Sequence, residues 1–204
     1  MRTLVLATLL LPFAARAACD LSVTDNTFKR GLDINDDSTD VRAEISKVEE
    51  YHFTPDVESL RRGSTGQLPS DLVYTLRHIP NHYRALAAYA TWEGRYPNRA
   101  RGQYRTAECY FQRAISFRPS DSQLHMLFGV YLQRAGRTED ARGEYARAEE
   151  MGLASAELYY NRGLLEFQEG DYDLSRKYAK RAYDSGFPLP GLRNKLASKG
   201  ISIQ

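Results

Sequence analysis

Several oxygen-bearing side chains near the N-terminus have the spacing of calcium ligands. Positions 1, 3, 5 and 12 of a calcium-binding loop would be filled by Asp33, Asn35, Asp37 and Glu44. A hard cation needs several carboxylates on one turn, and this spacing supplies them. The sharp turn at position 6 nevertheless requires Gly where this chain has Ser38, and the usually apolar position 8 holds Asp40. The segment therefore fits either a calcium loop or an Asp-rich solvated turn before a helix.

Two of the four histidines have a spacing that is compatible with zinc binding. His78 and His82 are four residues apart, as metal-binding histidines on one helix face are. Pro80 lies between them and interrupts that face, so the sequence predicts no zinc site. It also contains no glycine-rich phosphate loop, and we expect the protein to use neither a metal nor a cofactor.

A third histidine, His52, lies between Tyr51 and Phe53, and we expect it to pack beside aromatic rings. A hydrolytic or accessory enzyme site would need His52, Asp71 and His82 to converge in one cleft. Nothing in the sequence brings these residues together. The enzyme therefore stays an alternative to a non-enzymatic function, and no catalytic residue is assigned.

The first eighteen residues have the pattern of a secretory signal peptide. A basic start at Arg2 precedes an apolar run at residues 4–13, which is too short to span a bilayer. Ala15 and Ala17 fit an A-x-A cleavage site. We therefore expect residues 1–18 to be removed on export. The mature protein would then lie in the bacterial periplasm or outside the cell, without a transmembrane segment.

Two cysteines, Cys19 and Cys109, remain after export. In an oxidising compartment two thiols often form a disulfide, and this one would join the mature N-terminus to a helix 90 positions away. Closing so large a loop restricts the unfolded chain strongly. The alternative is a lipid on Cys19, although lipoprotein signals usually have Leu where this chain has Arg16.

Charge is unevenly distributed along the chain. The mature sequence is neutral once Arg2 and Arg16 leave with the leader, so its charge gives no reason to expect nucleic acid as a partner. Residues 19–60 carry 11 acidic and 4 basic side chains, whereas residues 61–118 carry 3 acidic and 10 basic ones. Either the acidic segment docks on the basic half, or the basic half presents a face to an acidic partner.

Small residues recur every 34 positions through the second half of the chain. Ala114, Ala148 and Ala182 have this spacing, and Gly129 and Gly163 repeat it. A fixed period of this length is typical of stacked helical repeats, in which small residues let neighbouring helices approach closely. The sequence therefore predicts an all-α protein.

The pattern resembles the tetratricopeptide-repeat (TPR) family, whose 34-residue unit consists of two antiparallel helices. In the family pattern small residues stand at positions 8 and 20, an aromatic residue at 24 and Ala at 27. Gly129, Ala141, Tyr145 and Ala148 occupy these positions in one unit. The resemblance implies a short α-solenoid of about three helix-turn-helix repeats, closed by a C-terminal capping helix.

The mature chain divides accordingly. The repeat region spans residues 70–199, and within it we place repeats at 83–121, 122–155 and 156–189 and the capping helix at 190–199. Ahead of the repeats, a helix from Asp71 to Ile79, capped by Ser70, would be the second helix of a degenerate repeat. Residues 19–69 do not match the pattern and form a non-repeat N-terminal segment with short helices expected at 40–51 and 55–62.

The first repeat is irregular. Ala107, Phe111 and Ala114 fall on positions 20, 24 and 27, but counting from Tyr83 places five extra residues between its two helices. They belong to residues 94–102, which are rich in turn formers and arginine. The basic side chains expected on and beside this loop are Arg95, Arg99, Arg101 and Arg105.

In the family, one face of the first helices lines a concave groove that binds partner peptides. The residues selected at matching positions are Arg84, Gln123, Met126, Leu127, Val130, Arg134, Tyr160, Asn161, Leu164 and Gln168. Apolar side chains mixed with a few hydrogen-bonding ones suit an extended or helical peptide. The other interpretation is that the protein's own N-terminal segment covers much of this face.

The resemblance implies an exported protein–protein interaction module that binds a partner protein or peptide, and analogy at the level of fold points to envelope assembly. A structural homo-oligomer that associates through the groove or the basic loop is a further alternative. The sequence identifies neither the partner nor the pathway.

Overall fold

The computed structural model describes Cys19, residues 31–100 and residues 104–203. The expected signal peptide, residues 1–18, lies outside the described residues. All regular secondary structure in the described part of the chain is helical. The prediction of an all-α fold is therefore confirmed.

Three helices precede the repeats, and they are α1 (Thr39–His52), α2 (Pro55–Glu58) and α3 (Leu68–His78). Helix α1 packs against α3 and buries Ile45 and Val48 against Ile79. The backbone N–H of Leu32 donates to the carbonyl oxygen of His78 at 2.7 Å. The N-terminal segment is therefore folded onto the start of the array.

Three helix pairs follow, with a short extra helix inside the first pair and a final helix after the third. They are α4 (Tyr83–Arg95), the short α5 (Pro97–Ala100), α6 (Ala107–Phe117), α7 (Ser122–Arg134), α8 (Thr138–Glu150), α9 (Ala156–Glu169), α10 (Tyr172–Asp184) and α11 (Gly191–Ala197). Helices α7 and α9 begin 34 residues apart, as do α8 and α10. The predicted register of the last two repeats agrees with these helix bounds.

The small residues at the repeat positions lie where neighbouring helices approach closely. Ala114, Ala148 and Ala182 are fully buried between helices. A Cβ atom added at Gly129 would lie only 2.6 Å from the ring of Tyr145, so α7 and α8 can approach this closely only because position 129 has no side chain. The aromatic residue therefore fills the space that the glycine leaves.

Helix ends are fixed by side chains and by glycine. The carboxylate of Asp121 and the hydroxyl of Ser155 accept from backbone N–H groups in the first turns of α7 and α9, which satisfies donors that a helix start leaves unpaired. Gly136 and Gly170, again 34 residues apart, have φ of 73° and 83°, a left-handed conformation that favours glycine. The last two repeats thus turn at the same place.

The first helices of the three pairs, α4, α7 and α9, form a row, because α7 contacts both α4 and α9. Helix α11 packs on α9 and α10 and buries Leu192 and Leu196 completely. It closes the end of the array, as expected of a capping helix. It is shorter than residues 190–199, since its helical part is Gly191–Ala197.

Two helix bounds differ from the sequence prediction. Helix α3 begins at Leu68 rather than Asp71, because Pro69 occupies its first turn, where a missing N–H has no cost. Ser70 is therefore inside the helix and is not its cap. Helix α2 ends at Glu58, and Leu60 two residues later has a φ of 58°, which ends the helical path before residue 62.

The irregular first repeat differs from its neighbours at the start of its second helix. Aligned through the repeat alanines Ala114 and Ala148, the α6 residue Ala107 corresponds to Ala141, three residues inside α8. Helix α6 therefore lacks the first turn of its counterpart. Glu93 of α4 compensates by accepting from the N–H of Ala107 at 3.0 Å.

Candidate partner-binding site

The predicted groove residues lie along the row α4, α7 and α9, with unequal exposure. Arg84, Arg134 and Gln168 are exposed, while Gln123, Leu127, Val130, Tyr160, Asn161 and Leu164 are half-buried. Met126 is only 3% exposed, and the hydroxyl of Ser155 lies 3.8 Å from its sulfur. Met126 therefore supports the core, and it is not available to a partner.

The start of the row is covered by the N-terminal segment. Arg84 of α4 forms a two-pronged ion pair with Glu58 of α2, and its guanidinium lies 5.2 Å from the centre of the Phe53 ring. The hydrogen bonds from Arg84 hold the pKa of Glu58 below its ordinary value. This part of the predicted groove is thus occupied by the protein itself.

The far end of the row is partly covered as well. Tyr160 of α9 stacks on Phe187 with the ring centres 3.9 Å apart. Leu164 and Phe167 pack against the cluster that α11 builds around Leu192. Between these two covered ends, the surface of α4 and α7 is the open part of the row.

A cavity of about 670 Å³ opens between the C-terminal ends of α4 and α7. Its walls come from both helices and from the segment that follows α4, and they comprise Ala90, Thr91, Glu93, Gly94, Arg95, Pro97, Tyr104, Thr106, Tyr131, Arg134 and Ala135. We call it the insertion pocket, because Pro97 and Tyr104 belong to the lengthened connection of the first repeat.

Small side chains explain why the insertion pocket is hollow. Ala90 and Gly94 of α4 lie one turn apart and share the cavity with Ala135 after α7. A Cβ atom added at Gly94 would meet nothing within 4 Å. The Tyr104 ring forms one wall and is held edge-on to Trp92, with the ring centres 5.8 Å apart.

Glu93 lies at the pocket wall, but its carboxylate is directed at α6. Besides Ala107, it accepts a hydrogen bond from the Tyr131 hydroxyl at 3.2 Å. Burial raises the pKa of the Glu93 carboxyl, although both hydrogen bonds act in the opposite direction. Glu93 therefore fixes the start of α6 and joins it to α7.

The predicted basic loop is only partly a loop. Arg95 lies in the last turn of α4 and Arg99 belongs to α5, whereas Arg101 lies outside the described residues. Arg105 is exposed just before α6. Helix α4 includes Gly94 and Arg95 and has 13 residues, the same length as α7. The extra residues of the first repeat therefore come after Arg95.

Two arginines flank the insertion pocket without a partner in the described part of the chain. Neither Arg95 nor Arg134 makes an ion pair, a hydrogen bond or a ring contact there. Other arginines of the array are engaged, for example Arg142 with Glu166 and Arg137 with Glu108. The pocket thus combines an apolar interior with two uncompensated cations.

Two of the three residues of the alternative enzyme site, His52 and Asp71, contact each other, whereas the hydrogen bonds of His82 are to other residues. The His52 ring stacks on Tyr74 at 3.7 Å, as expected for a histidine packed beside aromatic rings, and its Nδ1 lies 2.9 Å from a carboxylate oxygen of Asp71. His82 instead contacts Glu49 and accepts from the N–H of Ala85.

Asp71 is 1% exposed, and its carboxylate accepts several hydrogen bonds from the turn that precedes α3. It accepts from the backbone N–H groups of Ser64 and Thr65 and from the Thr65 hydroxyl. Burial raises the pKa of Asp71, but the hydrogen bonds from Thr65, His52 and Ser64 outweigh it and hold the pKa below its ordinary value. Asp71 therefore fastens the turn before α3.

The residues with calcium spacing are directed to different partners. Asp33 accepts from Asn81 and Arg118, and the remaining carboxylates pair elsewhere, Asp37 with Arg42 and Glu44 with Lys47. Among the described residues no group of three or more acidic, histidine or cysteine side chains is arranged to hold a metal ion. The segment has the form of a turn before α1.

Cys19 and Cys109 form a disulfide, with their Cα atoms 5.5 Å apart across 90 positions. The predicted pairing is present, and with its sulfur in a disulfide Cys19 has no thiol left for a lipid. The bridge joins residue 19 to the first turn of α6, close to the segment that borders the insertion pocket. The acidic N-terminal segment is thus tied to the basic half by a covalent bond as well as by ion pairs.

None of the helices in the described part of the chain has the length and apolar character that are needed to span a membrane. In a comparison with known families, residues 126–188 match the model for the tetratricopeptide repeat. This stretch runs from the middle of α7 to the residues after α10. No curated protein matches the chain.

Proposed function

We propose that this chain, whose residues 126–188 match the tetratricopeptide-repeat model, binds a segment of a partner protein along the row α4, α7 and α9. Repeats of this family generally mediate protein–protein interaction, and the chain is accordingly a binding module. The mechanism is equilibrium binding: a preformed surface holds a partner without changing it chemically.

The insertion pocket is the observation that carries the proposal. Both ends of the row are covered by the protein's own residues, whereas the middle offers an apolar cavity beside Arg95 and Arg134. Binding sites are typically concave and apolar, with a few polar groups that set orientation. The pocket has this character, and its position on the first helices matches the face by which the family binds peptides.

We further propose that the protein is exported and acts in envelope assembly. The Cys19–Cys109 disulfide supports export, because such bonds persist in oxidising compartments. The envelope role rests on fold-level analogy. A signal-peptide test is direct: mass measurement of the protein from periplasmic extract should give a chain that begins at Cys19 or at Ala18.

Site-specific photocrosslinking tests the binding surface. Photoreactive residues at Ala135, the C-cap of α7 beside the pocket, and at Gln168 of α9 probe the row, and the matched controls at Glu150 of α8 and Lys177 of α10 are exposed on second helices. In cells that express the full chain, we expect adducts with another protein from the row positions alone.

Two outcomes would contradict the proposal. Adducts with the same partner from Glu150 and Lys177 would place the binding surface on the second helices. Adducts that contain only copies of this chain would favour the structural homo-oligomer over a module for a different partner.

A further inference from the structure

We propose that the insertion pocket takes a bulky apolar side chain that stands next to an acidic residue in the partner's segment. The inference rests on the proposed function, because it assumes that a partner segment lies along the row. It adds the chemistry that the segment must have at this point.

The cavity requires an apolar occupant. A volume of about 670 Å³ is larger than one aromatic side chain needs, so a Phe, Leu or Trp side chain and part of its backbone fit inside. Its apolar lining comes from Ala90, Ala135, Pro97, Tyr104 and Tyr131. Contact with these walls removes apolar surface from water on both partners.

The charge at the rim requires an acidic neighbour. Arg95 and Arg134 both line the pocket. Arg95 lies in the last turn of α4, and Arg134 lies in the last turn of α7. In the described part of the chain neither has an acidic partner. A carboxylate beside the apolar side chain would pair with them, whereas a lysine or arginine there would be repelled.

Glu93 does not compete for these arginines. Its two carboxylate oxygens are engaged by the N–H of Ala107 and the hydroxyl of Tyr131. The pocket therefore presents net positive charge to a partner although a carboxylate forms part of its wall.

A random heptapeptide library displayed on phage tests the proposal against the full mature chain. We expect the selected peptides to share an aromatic or large aliphatic residue flanked by Asp or Glu. Individual synthetic peptides from the selection are then measured by isothermal titration calorimetry against the unchanged protein and four variants.

One variant fills the pocket, a second removes the positive charges at its rim, and each has a control variant. Gly94→Phe fills the cavity, while Gly143→Phe places the same side chain at a helical glycine of α8 that also has open space around it. Arg95→Gln with Arg134→Gln removes the rim charge, while Arg77→Gln removes an exposed arginine of α3 whose guanidinium likewise makes no ion pair or hydrogen bond in the described residues.

We expect Gly94→Phe to weaken the Kd of the selected peptides by about tenfold or more and the paired arginine variant to weaken it by about two- to fivefold per charge. Both control variants should leave the Kd unchanged. Circular dichroism and thermal unfolding of each variant establish that it is folded before its Kd is compared.

The outcomes separate this inference from the proposed function. If no peptide is enriched over the background, or if the enriched peptides crosslink to α8 or α10, the proposed function fails. If peptides are enriched and bind the row but Gly94→Phe binds them normally, or if they carry basic residues beside the apolar one, only the present inference is overturned.

Discussion

Gly129 and Gly143 lie in the two helices of one repeat, yet alanine at these positions should have opposite effects. A Cβ atom at residue 129 would lie 2.6 Å from the Tyr145 ring, whereas one at residue 143 would meet nothing within 4 Å. We expect Gly129→Ala to destabilise the protein by about 1–3 kcal/mol, because the buried Tyr145 ring cannot move away without strain.

The same substitution at residue 143 should stabilise the protein by about 0.5–1 kcal/mol, because alanine loses less backbone entropy than glycine in a helix interior. Urea unfolding followed by far-UV circular dichroism measures both changes. Equal effects of the two substitutions would show that the Gly129–Tyr145 contact is looser than the structure has it.

At the scale of elements, the N-terminal segment is held on the array by ionised carboxylates. Asp33 pairs with Arg118, Glu49 with His82 and Glu58 with Arg84. Glu49 has a lowered pKa because of its hydrogen bond from His82. Burial raises the pKa of Asp33, but hydrogen bonds from Asn35, Asn81 and Arg118 outweigh it and lower the pKa overall.

Acid should therefore release this segment before it unfolds the last two repeats. A carboxylate with a lowered folded-state pKa contributes stability above its unfolded pKa of about 4, and that stability is lost as the pH falls through the folded value. Hydrogen exchange measured at pH 5 and at pH 3 should show protection lost first in residues 31–58, ahead of residues 122–184. Simultaneous loss in both regions would contradict the prediction.

The elements were predictable to the extent that their signals are local. The register of α7 to α10 follows from Gly129, Gly163 and the repeat alanines. A small residue that recurs every 34 positions marks a close contact between helices, and it can be read directly from the sequence. The helix bounds at α2 and α3 depended on single residues, Leu60 and Pro69, whose backbone conformations are less specific signals.

The insertion pocket could not be predicted, because it depends on contacts between distant residues. Five extra residues were visible, but the loss of the first turn of α6 depends on Glu93 reaching the N–H of Ala107 fourteen positions later. Met126 likewise contacts Ser155, which follows 29 positions later. The 34-residue spacing of small residues carries no information about either contact.

For the whole molecule, the Cys19–Cys109 disulfide should be the largest single contribution to stability. It closes a loop of 90 residues, and the chain-entropy estimate for such a loop is about 4–5 kcal/mol. We expect reduction with a phosphine to lower the free energy of unfolding by an amount of this order, as measured by urea unfolding.

The double variant Cys19→Ser, Cys109→Ser is the control for that measurement. It should match the reduced protein and should not respond to the reductant. An unchanged unfolding midpoint on reduction of the unsubstituted protein would mean that the N-terminal segment is held by its noncovalent contacts alone.

The disulfide also determines how the molecule would respond to mechanical load. A pull applied through residue 19 and the C-terminus passes directly across the bridge to Cys109, so residues 20–108 carry none of the tension. Only the chain after Cys109, with α7 to α11, would extend. The N-terminal segment, α3 and α4 would bear no tension themselves, and they include the α4 side of the insertion pocket.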